Sequence, residues 1–177
     1  MNIFKLFYAP KKIPQFDVNY FCGSTSKVFG IEIEPENYTE FMNEYFKTFS
    51  RNNVQQNIMT NYKFEKFIEQ RSKLGLEILN IHFMEKEELV LSKNENYNDM
   101  LSCLNKRNVK EAKCYIEELI EDGFNISTIE CISKDDNQYR INVHNNGTIS
   151  FNYGIDNIKK YIKDKHIVDY LCTGIIN

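Results

Sequence analysis

Residues 138–153 read Gln-Tyr-Arg-Ile-Asn-Val-His-Asn-Asn-Gly-Thr-Ile-Ser-Phe-Asn-Tyr, and this stretch decides the fold class. Apolar and polar residues alternate with period two on both sides of Asn145-Asn146-Gly147. That is the pattern of two half-buried strands, not of a helix. A two-residue loop at Asn146-Gly147 would set Val143 against Ser150, apolar against polar. A three-residue loop pairs Val143 with Ile149, Ile141 with Phe151 and Tyr139 with Tyr153, and puts Gly147 at the left-handed position of a G1 bulge. The second register is expected. Its polar face carries Arg140, Asn142, His144, Thr148, Ser150 and Asn152.

Working towards the N-terminus, Ile126–Ile132 reads as a strand, joined to the hairpin by the turn Lys134-Asp135-Asp136-Asn137. Tyr97–Leu104 and Val109–Ile120 form an αα-hairpin, the second helix capped by Asn108 with Glu111 and ended by Gly123. Leu76–Phe83 is a strand with Leu79, Ile81 and Phe83 on one face, followed by the charged turn Glu85-Lys86-Glu87-Glu88 and a short strand or irregular segment at 89–91. Residues 53–74 read as helical, with a break near Thr60. Tyr38, Phe41, Met42, Tyr45, Phe46 and Phe49 recur at helical spacing and predict a core-facing helix over 37–49, capped by Asn37 with Glu40. Three strands precede it, near 3–8, 17–22 and 27–34, as a β-meander interrupted by Pro10 and Pro14. Beyond the hairpin, Ile155, Ile158 and Ile162 mark a helix to about Asp164, and residues 166–171 fit helix or strand. The expected fold is α+β: an antiparallel β-sheet with helices packed on it and an αα-hairpin. No linker divides the chain, so a single domain over 1–177 is expected.

The 177 residues are 42% hydrophobic and 27% charged, ordinary values for a chain that folds on a hydrophobic core. No apolar run is long enough for a transmembrane helix. The lysine inside the apolar start (Lys5) argues for a first strand and against a signal peptide. A net charge of −3 disfavours direct nucleic-acid binding, which needs a basic face, and suits steering of a basic partner. The five cysteines show no metal-ligand or disulfide spacing and are expected to be small buried hydrophobes in a reducing cytoplasm.

No phosphate-binding loop, dinucleotide fingerprint, zinc-protease motif or nucleophile elbow occurs. No cofactor or metal is expected. Among the three histidines, His144 is the strongest candidate for chemistry, because Arg140 shares its strand face and Thr148 lies across the turn. A small enzyme acting on nucleic acid or a phosphorylated ligand through His144 and Arg140 is the alternative function. His82 with Glu77 makes no metal pair, since side chains five apart on a strand face opposite ways. The polar hairpin face equally suits a partner surface, as an edge strand accepts another strand.

In its missing catalytic motifs, acidic balance and abundance of Asn and Ile, the chain resembles immunity proteins of bacterial contact-dependent growth inhibition and related polymorphic-toxin systems. The resemblance implies a cytoplasmic, non-enzymatic protein that binds and blocks a cognate toxin domain, commonly a nuclease, as a monomer in a 1:1 complex. The partner-binding residues expected from strand alternation and the charged turn are Arg140, Asn142, His144, Thr148, Ser150 and Asn152, with Glu85, Glu87 and Glu88.

Overall fold

The structure is a computed structural model that describes residues 2–11, 13–84, 90–135 and 137–175, the side chains of Pro35 and Ile155 excepted. The fold is α+β, built as two compact units: residues 1–58 with 146–177, and residues 59–145. The second unit is therefore an insertion in the chain of the first.

In the first unit the strands are β1 (Asn2–Tyr8), β2 (Tyr20–Cys22), β3 (Val28–Glu32), β4 (Gln55–Gln56) and, from the far side of the insertion, β8 (Thr148–Phe151). They form an antiparallel sheet in the order β2-β3-β1-β8, with β4 also on β1. The helices are α1 (Tyr38–Asn52), α5 (Ile155–Asp164) and α6 (Ile167–Thr173). Phe7, Ala9, Phe29, Ile31 and Phe49 make one core cluster, with Phe16, Phe41 and Tyr45 packed on it. Phe4, Leu6 and Phe21 take the alternate strand positions and so the opposite face. Phe21 meets Phe4 edge-on with ring centroids 5.1 Å apart. The missing side chain of Gly30 makes room for it, since a Cβ there would overlap the Phe21 ring.

One edge of β1 is shared end to end by two short strands. β8 pairs with Asn2–Lys5 and β4 with Phe7 and Tyr8. Between them Leu6 N–H donates to Gly147 O at 3.1 Å, and Leu6 O accepts from Asn57 N–H at 2.9 Å. Lys5 is 5% exposed, and its ammonium donates to the carbonyls of Asn57 (2.9 Å) and Asn146. Those two residues flank the insertion. Gly147 has φ +74°, and a Cβ on it would overlap the Asn57 carbonyl. The left-handed glycine expected at this turn is present, and close approach of a second backbone requires it as well.

The α5–α6 corner is tied down by a buried carboxylate. Asp169 accepts from Ser24 N–H (2.8 Å), Ser24 Oγ (2.9 Å), Thr25 N–H (3.1 Å) and Thr25 Oγ1 (2.6 Å). Burial pushes its pKa up, but these hydrogen bonds outweigh burial and hold it below the ordinary carboxylate range.

In the second unit β5 (Leu76–Phe83), β6 (Ile126–Ser133) and β7 (Arg140–His144) form an antiparallel sheet in that order. Helices α2 (Asn61–Gln70), α3 (Glu95–Asn105) and α4 (Val109–Glu121) accompany it. The expected αα-hairpin is α3–α4. Its cap is made: Asn108 Oδ1 accepts from Glu111 N–H at 3.3 Å, and Asn108 Nδ2 donates to the Glu111 carboxylate. Lys113 of α4 bridges to Glu69 of α2 at 3.2 Å.

Several expectations are corrected. Residues 53–60 are not helical; the chain turns at Asn53 (φ +53°), forms β4, and Thr60 caps α2. Phe46 is 66% exposed and only Phe49 of the aromatic stripe is buried, because a single helix presents at most half its circumference to a sheet. Asn37 makes no side-chain cap and instead donates to Glu34 at 2.7 Å. In β5 an irregularity between Ile78 and Asn80 shifts the alternation, so Leu76 and Ile78, then Ile81 and Phe83, are buried and Leu79 is not. Residues 90 and 91 are helical, and residues 167–173 settle as a helix. Cys22 and Cys114 are exposed, while Cys103 and Cys131 are buried. Tyr153 is 39% exposed, lying beyond the end of β8.

Gly147→Ala should cost about 2–4 kcal/mol in urea unfolding, combining left-handed strain with the overlap on Asn57. Burial pulls the Lys5 pKa from 10.5 down to about 8, with Cys172 acting weakly the other way. The folded chain thus releases this proton before the unfolded chain does. The contribution of Lys5 to stability should therefore be smallest below about pH 8 and grow as pH rises from there towards 10.5. Urea unfolding of wild type and Lys5→Gln over that window should show a difference between them that rises with pH.

Candidate functional site

A groove of about 880 Å³ in the first unit gathers acidic side chains. Five carboxylates line it: Asp17, Glu32, Glu34, Glu40 and Glu44. Among the described residues no lysine or arginine does. Asp17 comes from the loop before β2. Glu32 and Glu34 come from the end of β3, where Pro35 stops the strand. Glu40 and Glu44 stand one turn apart on α1, with Phe41 and Tyr38 beside them.

Local folding does not need this charge. Glu40 in the first turn gains from the helix dipole, but Glu44 four residues on repels it by a few tenths of a kcal/mol. Two of the five carboxylates are held in place by asparagines. Glu32 accepts from Asn19 Nδ2 at 2.8 Å and Glu34 from Asn37 Nδ2 at 2.7 Å. Among the described residues none of the five enters an ion pair within 4.0 Å. Apolar surface sits within the acidic rim: Val18 is 37% exposed, and Tyr38 and Phe41 are half-buried. Tyr38 donates its hydroxyl to Gln56 Oε1 at 2.7 Å, which fixes the ring, and burial raises its pKa. Carboxylates around partly buried aromatic rings can receive Lys and Arg side chains by charge and by stacking.

The residues expected at the partner surface fall elsewhere. Thr148 and Ser150 are buried, at 5% and 0% exposure, and so offer no surface; all four residues of β8 are buried. Asn152 is exposed past the end of that strand. Glu85, Glu87 and Glu88 lie outside the described residues. Arg140 (exposed), Asn142 and His144 (half-buried) share one face of β7 in the second unit.

Cross-strand register brings new neighbours to that face. His82 and His144 both lie opposite Thr128, and Asn80 and Asn142 both lie opposite Glu130. His82 Nε2 is 3.0 Å from Glu130 Oε1, and His144 Nδ1 is 3.0 Å from Thr128 Oγ1. The partner of His82 is thus on the next strand, where reading along β5 alone could not find it. Arg140 and His144 are four residues apart, about 13 Å by strand rise. Burial lowers the His144 pKa; Glu130 acts against that shift and His82 adds to it. Among the described residues no group of three or more His, Cys, Asp or Glu could hold a metal ion.

Ser24, His166 and Asp169 carry the side-chain types of a hydrolytic triad, with Ser24 Oγ 2.7 Å from His166 Nδ1. The connectivity differs from that of a triad. The carboxylate bonds the serine hydroxyl rather than the imidazole. The cluster ties the turn at 23–26 to α6.

Comparison with protein-family models, curated proteins and solved structures finds no match for this chain.

His144 should titrate below the ordinary histidine range when followed by NMR of its ring protons. Glu130→Gln should lower it further, because the carboxylate is the charge that resists the shift.

Proposed function

We propose that this chain is a cytoplasmic immunity protein that neutralises a cognate toxin domain by one-to-one binding, with the acidic groove at Asp17, Glu32, Glu34, Glu40 and Glu44 as the docking face. The observation that carries the proposal is that groove: among the described residues, five carboxylates and no lysine or arginine, around partly exposed Val18, Tyr38 and Phe41. A nuclease is the toxin activity that fits. Such an enzyme binds phosphates with a basic face, and a groove of carboxylates meets the same face.

Charge of this kind acts mainly on the association rate and on partner choice, and the aromatic and aliphatic surface supplies short-range affinity. Asn19 and Asn37 hold Glu32 and Glu34, which reduces the side-chain ordering left for docking.

The test starts with the tagged protein as bait in the source cells, with the captured nuclease domain then purified. Its activity should fall linearly with added protein and reach zero at a one-to-one ratio. Glu32→Lys with Glu40→Lys and Glu44→Lys should slow association by about tenfold or more at low salt, with the gap narrowing as salt rises. Equal association rates for variant and wild type would refute docking at this groove. Turnover of nucleic acid by the isolated chain would refute neutralisation by binding.

A further inference from the structure

We propose that the free edge of β2 is a second docking site, which takes an extended acidic segment of a partner as an added strand beside Tyr20–Cys22 and seats its carboxylates on Lys159, Lys160 and Lys163. β2 is the outermost strand of the first unit's sheet. Pairing with β3 sets Phe21 opposite Gly30. On either side, Asn19 O accepts from Glu32 N–H at 2.9 Å and Gly23 N–H donates to Val28 O at 2.7 Å. Antiparallel alternation therefore turns the N–H and C=O groups of Tyr20 and Cys22 away from β3, towards the open side. These are the groups an incoming strand pairs with.

What runs beside that edge selects the occupant. A groove of about 640 Å³ is lined by Tyr20, Phe21 and Cys22 on the strand and by Lys159, Lys160, Lys163 and Asp164 on α5. Lys159 and Lys163 are one helical turn apart, as are Lys160 and Lys163, so the three share one side of the helix. All three are exposed, and three ammonium groups face one carboxylate there. The Lys163 charge is felt at the edge itself, where it opposes the upward shift that burial gives the Cys22 thiol. Only Lys159 is drawn aside, to Asp156 at 3.3 Å. Edge strands are blunted by shortness, by a covering helix or loop, or by a lysine or proline on the strand itself. β2 (Tyr-Phe-Cys) carries neither lysine nor proline, and its flanking lysines sit on a helix, where they attract an acidic strand rather than block one. An edge of three residues gives a short ladder, so the ammonium groups provide selection and the backbone provides direction.

The experiment uses the whole chain and a fluorescein-labelled heptapeptide of alternating Glu and Val, read by fluorescence anisotropy at low ionic strength. Saturable binding is expected, weakened tenfold or more by Lys160→Glu with Lys163→Glu; both residues are exposed, so these variants keep the fold. Peptides N-methylated on either alternate set of residues separate strand addition from simple charge attraction. One set should abolish binding and the other leave it largely intact. Amide NMR should place the shifts at Tyr20 and Cys22. Absence of binding, binding indifferent to the lysine replacements, or equal binding of both N-methylated peptides would overturn the proposal. None of these readouts involves the carboxylates of the acidic groove, so the two docking surfaces succeed or fail separately.

Discussion

Burying an ammonium group is costly unless its hydrogens are accepted, and Lys5 spends that cost at the point the first unit most needs holding. Its acceptors, the carbonyls of Asn57 and Asn146, flank the departure and return of an 87-residue insertion spanning residues 59–145. β4 and β8 are two short strands that share one edge of β1 end to end, and Lys5 ties the chain beside both. Leu6 bonds one neighbour with its N–H and the other with its C=O, and Gly147 lets the two backbones meet. The groove and edge described above are surfaces of the first unit's sheet and its helices.

The two proposed surfaces have opposite charge and are made by different means. The acidic groove gathers carboxylates from a loop, a strand end and a helix start. The basic edge gathers its lysines from one turn of α5. In both, charge selects the partner while aromatic surface or unpaired backbone supplies short-range attraction. The polar face of the second unit's sheet is a different arrangement, with two separate cross-strand hydrogen bonds, His82 to Glu130 and His144 to Thr128.

Much of the fold was legible from local pattern. The Asn145–Gly147 turn, the Asn108–Glu111 cap and the α3–α4 hairpin each depend on residues within a few positions of one another, so sequence spacing is enough. What was hidden depends on distant partners. Lys5 reads as a lone lysine inside an apolar strand, and nothing nearby announces two carbonyls 52 and 141 residues away. Asp169 sits in an apolar stretch that suits helix or strand, and its role appears only with Ser24 and Thr25, 145 and 144 residues earlier. Thr148 and Ser150 read as surface by strand alternation, but small hydroxyl residues tolerate burial, and β8 is buried on both faces. The acidic groove escaped notice for the same reason: Asp17, Glu32, Glu34, Glu40 and Glu44 look like scattered surface charges until the chain folds them together.

Hydrogen–deuterium exchange of the chain, alone and with the captured toxin domain, tests the central claim most directly. Binding through the acidic groove predicts new protection confined to the amides of residues 17–19 and 32–44, at one toxin per chain. Protection centred instead on the β7 face at Arg140–His144, with the groove amides unchanged, would contradict it.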